Sequence, residues 1–115
     1  MNAEEMKQRT KLFAINIALF SQKIPDNPVN RAYKGQIIRS SSSVGANYRA
    51  SRRAKSNADF INKLKIVEEE LDESLFFLEL LEVFNEPFRN EVLALHGEGE
   101  ILLKIIVASI ISSRK

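Results

Sequence analysis

Few side chains in this sequence are placed to do chemistry. Five carboxylates crowd together at Glu68, Glu69, Glu70, Asp72 and Glu73, the residue type that holds paired iron ions inside a helical bundle. Such a site draws glutamates from facing helices together with Glu-x-x-His motifs. The sole histidine, His96, has Leu93 three residues before it, so that motif is missing and the carboxylates read as a solvated or ion-paired face. A general base needs an oriented set of partners. No serine–carboxylate pattern surrounds His96, which reads as a surface or interface histidine. Gly97-Glu98-Gly99 lacks the third glycine of a phosphate loop, follows no strand and has acids beside it. The serine run at Ser40, Ser41, Ser42 and Ser43 has no base in view and reads as small-residue packing, not as a nucleophile or phosphorylation site. No catalytic residue, metal site or cofactor is expected, and the chain is read as a non-enzyme.

The basic residues carry more content. Arg31, Lys34, Arg49, Arg52 and Arg53 fall on one flank of a single helical stretch, suited to neutralising phosphates of RNA or DNA along one face. The competing reading pairs that flank with acids of the same chain or of a neighbouring subunit. Net charge is only +2, short of a strongly basic nucleic-acid binder, but the average hides a division. Residues 31–65 hold nine Lys/Arg against Asp59, a balance of +8. Residues 66–100 hold eleven acids against Arg89, a balance of −10. Asymmetry of this kind points to partners, including further copies of the same chain.

The elements that must position these groups are helical. The chain has 115 residues, which fits one domain over 1–115 that buries roughly two-thirds of its unfolded surface. Cysteine is absent, which excludes disulfides and thiolate chemistry and suits a reducing compartment. The N-terminal MNAEEMKQRT has no apolar signal segment. The most apolar run, 101–111, contains Lys104 and falls short of the roughly 20 residues of a membrane span. The chain is therefore read as cytoplasmic, with no membrane partner.

Four helical stretches follow from the spacing of apolar residues. The first, about 3–24, carries Met6, Phe13, Ile17, Phe20 and Ile24 on one stripe. Leu12, Ile15 and Leu19 form a second stripe, roughly 100–160° around, whose simplest cover is another subunit. The second, about 31–55 with Asn30 as cap, keeps its period through Tyr33, Ile37, Val44 and Tyr48 despite the serines and Gly45. Its small polar flank is Gln36, Ser40, Ser43 and Asn47. The third begins after Ser56 and Asn57, with Asp59 completing a start like a capping box. Its stripe is Phe60, Leu64, Val67, Leu71, Leu75, Leu78 and Leu81. The run LFFLELLEVF, 75–84, is apolar on nearly every face, which marks burial all round and again a subunit interface. The fourth, about 87–112, has Asn85 as a candidate cap, Val92, Leu95, Leu102, Ile106 and Ile110 as its stripe, and a weak point at Gly97 and Gly99. Four long helices with short connections predict an all-α, up-down-up-down four-helix bundle.

The run Gly35-Gln36-Ile37-Ile38-Arg39-Ser40-Ser41-Ser42-Ser43-Val44-Gly45-Ala46-Asn47 resembles the signature of the family named for proteins encoded in intervening sequences of bacterial 23S rRNA genes. That signature reads G-x-Q-hydrophobic-x-R-S-x-x-S-[IV]-x-x-N; here Gln directly follows Gly. Asp59-Phe60, Leu64 and Glu70 also stand where the family has similar residues, while Arg49-Ala50-Ser51 replace its Glu-Gly. Accessory proteins of diversity-generating retroelements look like relatives. The resemblance implies a four-helix bundle assembling as a ring, typically a pentamer, with no established enzymatic activity, and a structural role for Gly35, Gln36, Arg39, Ser40, Ser43, Asn47, Asp59 and Phe60. The retroelement relatives suggest a nucleic-acid and a protein partner. A ring would repeat the basic flank and convert weak single-site binding into avidity. The chain is thus expected to be a homo-oligomeric bundle that binds RNA or DNA through its second helix, or else a protein-interaction scaffold.

Overall fold

The computed structural model describes residues 1–114. Among these, four α-helices account for nearly the whole chain: α1 (Ala3–Lys23), α2 (Pro28–Ser51), α3 (Asn57–Phe84) and α4 (Arg89–Ser113). A single 3-10 turn, Glu86–Phe88, joins the last two. Each helix packs on the next in sequence, and α1 meets α4 to close an up-down-up-down bundle. The bundle measures 45 × 21 × 20 Å.

The helix starts are written in short polar side chains that accept from otherwise unpaired first-turn amides. The Glu5 N–H donates to Asn2 Oδ1 at 2.8 Å, the Asn30 N–H to Asn27 Oδ1 at 2.8 Å, and the Asp59 N–H to Ser56 Oγ at 3.1 Å. Asn27, not Asn30, therefore caps α2. Pro28 opens the helix, because the first turn has no use for the N–H that proline lacks. At its far end α2 stops at Ser51, so Arg52, Arg53 and Lys55 lie beyond it. Asn85 gives no side-chain cap, and α4 starts at Arg89, after the turn that holds Pro87.

The core follows the apolar stripes. Phe13, Ile17, Ile37, Leu64, Leu71, Leu78, Leu102 and Ile106 are all essentially inaccessible. Tyr33, Phe60 and Leu95 lie at its edge, half-buried. The serine-rich stretch is helical because its serines are used. Ser40 and Ser41 are fully buried; the Ser40 and Ser74 hydroxyls meet at 2.9 Å across α2 and α3, and Ser74 also donates to the Glu70 carbonyl at 2.8 Å. Two glycines matter for closeness. A Cβ on Gly45 would sit 3.6 Å from the Thr10 carbonyl, so α1 and α2 approach backbone to backbone there. A Cβ on Gly99 would come within 2.7 Å of Leu75 Cδ2 and 3.4 Å of the Phe13 ring. α4 runs unbroken through Gly97 and Gly99, with neither kink nor frayed half.

The run 75–84 departs from burial on every side. Leu75, Leu78 and Leu81 enter the core, but Val83 is 72% exposed and Phe76 and Phe84 are each 54% exposed. On the opposite side of the bundle Leu12, Ile15 and Leu19 of α1 are likewise exposed.

Candidate nucleic-acid interface

The five basic residues assigned to one flank divide between two ends of the molecule. Arg31 and Arg49 are 18 positions apart, roughly 27 Å at 1.5 Å per residue. At the near end, Arg31 pairs with Asp26 at 3.2 Å, both largely exposed, and Lys34 Nζ donates to the Ile24 carbonyl at 3.2 Å, so Arg31 and Lys34 both contact the α1–α2 connection. At the far end, Arg52 lies over the Phe60 ring, 5.4 Å from its centroid, a contact in which the ring face attracts the guanidinium. Burial pushes the neighbouring Tyr48 hydroxyl above its usual pKa, with Arg52 and Lys7 opposing. Arg49, in the last turn of α2, and Arg53, in the turn just beyond it, border the groove beside α1 and have no acidic partner among the described residues.

Two acids of the α3 cluster, Glu70 and Glu73, are paired, but with a residue outside that flank. Arg39 spans both Glu70, at 3.3 Å, and Glu73. Burial lifts the Glu70 carboxyl above its usual range; Arg39 opposes this, and the adjacent Glu73 charge adds to it. Two carboxylates sharing one guanidinium leave the second only partly compensated. Elsewhere Arg9 holds Glu98 through two hydrogen bonds of 2.7 and 2.8 Å between α1 and α4, and Lys23 meets Glu91 at 2.9 Å. Among the described residues no three His, Asp or Glu side chains converge as a metal site would require.

The signature residues separate in the same way. Ser40 is buried against Ser74, and Asn47 Nδ2 donates to both the carbonyl and the hydroxyl of Ser43 at 2.9 and 2.8 Å. Asp59 accepts from the Lys55 N–H at 3.2 Å, which holds its carboxyl below the usual range, and Lys63 stands 3.3 Å away. Phe60 underlies Arg52 at the core's edge. Gly35 and Gln36 are exposed, and nothing lies within 4 Å of a Cβ built on Gly35.

Three features escaped the sequence. Lys7 and Lys11 of α1 stand in the same groove as Arg49, each presented by an antiparallel neighbour that a one-helix reading ignores. Asn30 and Asn85, both buried, exchange amide hydrogen bonds of 2.9 and 2.8 Å and tie the first connection to the third. His96 bridges α3 and α4, with Nε2 2.9 Å from Glu79 and Nδ1 3.0 Å from Glu100.

A sequence model described as 23S rRNA-intervening sequence protein matches residues 3–108 of the chain. Among solved structures, the chain is similar to a protein of unknown function from the S23 ribosomal protein family of Bacteroides thetaiotaomicron VPI-5482. The two share 31% identity over 96% of this chain and 98% of that one, with a TM-score of 0.83. No curated protein matches the chain.

Proposed function

The chain belongs to the 23S rRNA-intervening sequence protein family, and from that premise we propose that it is a non-enzymatic homo-oligomer, acting as one domain, that binds RNA or DNA through the basic end of α2. The observation that carries the reading is the state of Arg49 and Arg53. Both lie within a chain rich in acids, yet neither has a carboxylate partner among the described residues, while Arg39 takes Glu70 and Glu73 of α3. Cations left unpaired beside a groove are suited to phosphates, which position a nucleic acid without reading its sequence. The oligomer rests on two dissimilar exposed apolar areas, Leu12, Ile15 and Leu19 on α1 and Phe76, Val83 and Phe84 on α3. Dissimilar patches make head-to-tail contacts, which form a ring when the rotation between subunits closes and an open filament when it does not; a closed ring of five is what the family resemblance implies.

The test is fluorescence anisotropy with a labelled RNA hairpin and a DNA duplex across a salt series. Wild type binds with a steep salt dependence, and Arg49→Ala/Arg52→Ala/Arg53→Ala loses at least tenfold in affinity at about 0.1 M salt, as removal of several phosphate contacts requires. Equal binding by the triple variant contradicts the assignment. The second reading, a protein-interaction scaffold, draws on the same exposed aromatic residues of α3. It predicts no nucleic-acid binding even at low salt.

A further inference from the structure

We infer that the nucleic-acid site is a two-helix cleft and not a one-helix face: the groove between α1 and α2, walled by Lys7 and Lys11 on one side and Arg49 and Arg53 on the other, holds consecutive backbone phosphates of a nucleic-acid strand. The inference rests on the reading above and adds two residues from a helix to which no binding role attaches. The groove has two contiguous parts. One, of about 350 Å³, is lined by Lys7, Ala46, Arg49, Ala50 and Arg53. The other, of about 330 Å³, is lined by Glu4, Lys7, Gln8, Lys11 and Arg49. Lys7 and Arg49 border both, so the two parts form one channel.

Its construction follows from the packing. α1 and α2 pack closely where Gly45 faces the Thr10 backbone, which brings the last turn of α2 alongside the first turns of α1. Ala46 and Ala50 give a floor too short to fill the groove or to offer it a competing side-chain acceptor. Lys7 and Lys11 are one turn apart on α1, roughly 6 Å along its axis, and Arg49 in the last turn of α2 is followed by Arg53 in the turn just beyond it. Successive cations at that interval can each meet a successive phosphate of an extended strand. Arg49, Arg53 and Lys11 have no acidic partner among the described residues. The single acid in the groove is Glu4, which holds Lys7 Nζ at 3.0 Å and is itself largely exposed. Glu4 is therefore a built-in competitor that a phosphate must displace to engage Lys7.

The experiment measures the affinity of the full chain for a labelled 20-nucleotide single-stranded RNA, and for a DNA duplex of the same length, from 50 to 300 mM salt. Four proteins are compared: wild type, Lys7→Ala/Lys11→Ala, Glu4→Gln and the opposite-end control Arg31→Ala/Lys34→Ala. Circular dichroism verifies that each is folded. The cleft predicts that Lys7→Ala/Lys11→Ala binds the single strand roughly tenfold more weakly at 0.1 M salt. Its salt slope should be shallower by about 1.4, at 0.7 per lost phosphate contact. Glu4→Gln should bind severalfold more tightly than wild type, and the opposite-end control within about twofold of it. If the lysine variant binds like wild type with an unchanged slope, the cleft is overturned; the α2 reading then stands where Arg49→Ala/Arg52→Ala/Arg53→Ala fails to bind the same probes. If wild type binds neither probe at 50 mM salt, both are overturned.

Discussion

At the scale of single residues, chemistry here depends on which charges are left without a partner. His96 is the sharpest titratable case. Burial alone would lower its pKa, but hydrogen bonds to Glu79 and Glu100 outweigh that and hold it above the ordinary value. Both ring nitrogens face carboxylate oxygens, an arrangement that only the doubly protonated ring can satisfy. A folded-state pKa raised above the unfolded one contributes stability fully present below the unfolded value, near 6.5, and lost as pH rises through the folded value. Denaturant midpoints of wild type and His96→Gln should therefore differ most at pH 6 and converge by about pH 9. The gap should stay under about 1 kcal/mol, because both glutamates are exposed. A gap that widens with pH would contradict the brace. Glycine positions give a second test. Gly35 stands mid-helix with open space where a Cβ would go, so Gly35→Ala should stabilise by roughly 0.5–1 kcal/mol through helix propensity. Gly99→Ala should fall short of that gain, since Leu75 and Phe13 must give way. Equal gains at both sites in thermal unfolding would refute the close-approach role.

At the scale of elements, periodicity carried most of what could be read. The four helices, their inward stripes and the helical state of the serine stretch were legible because Tyr33, Ile37, Val44 and Tyr48 keep one face through it. The start of α2 was misplaced because Asn27 and Asn30 are equally good caps by type. Only Pro28, suited to the first helical position, separates them. The basic flank was legible as an angle but not as a height. Arg31 and Arg49 share a side of α2, yet the first serves the α1–α2 connection and the second the open groove. The Asn30–Asn85 pair and the His96 bridge were illegible for another reason. Their partners lie 55 and 17 positions away, and a polar match across two helices leaves no period in either. Of the candidate site, α2 alone could be read; Lys7 and Lys11 enter it only once α1 packs antiparallel beside Arg49.

At the scale of the whole molecule, charge and apolar surface are distributed in complementary ways. The basic groove lies between α1 and α2, while much of the acidic excess lies on α3, across the bundle from α1. Leu12, Ile15 and Leu19 face outward on one side and Phe76, Val83 and Phe84 on another, more apolar surface than a solitary bundle needs to expose. Assembly through these areas would repeat the groove once per subunit, so that modest contacts at each add as avidity. Among the described residues no helix is long and apolar enough to cross a membrane. A bundle that assembles and carries nucleic acid is open to light scattering coupled to size-exclusion chromatography, run at low salt with and without a labelled single-stranded RNA. The expected mass is near five times the 13.1 kDa protomer, with the RNA co-eluting in that peak. A peak at the protomer mass that leaves the RNA to elute alone would contradict it.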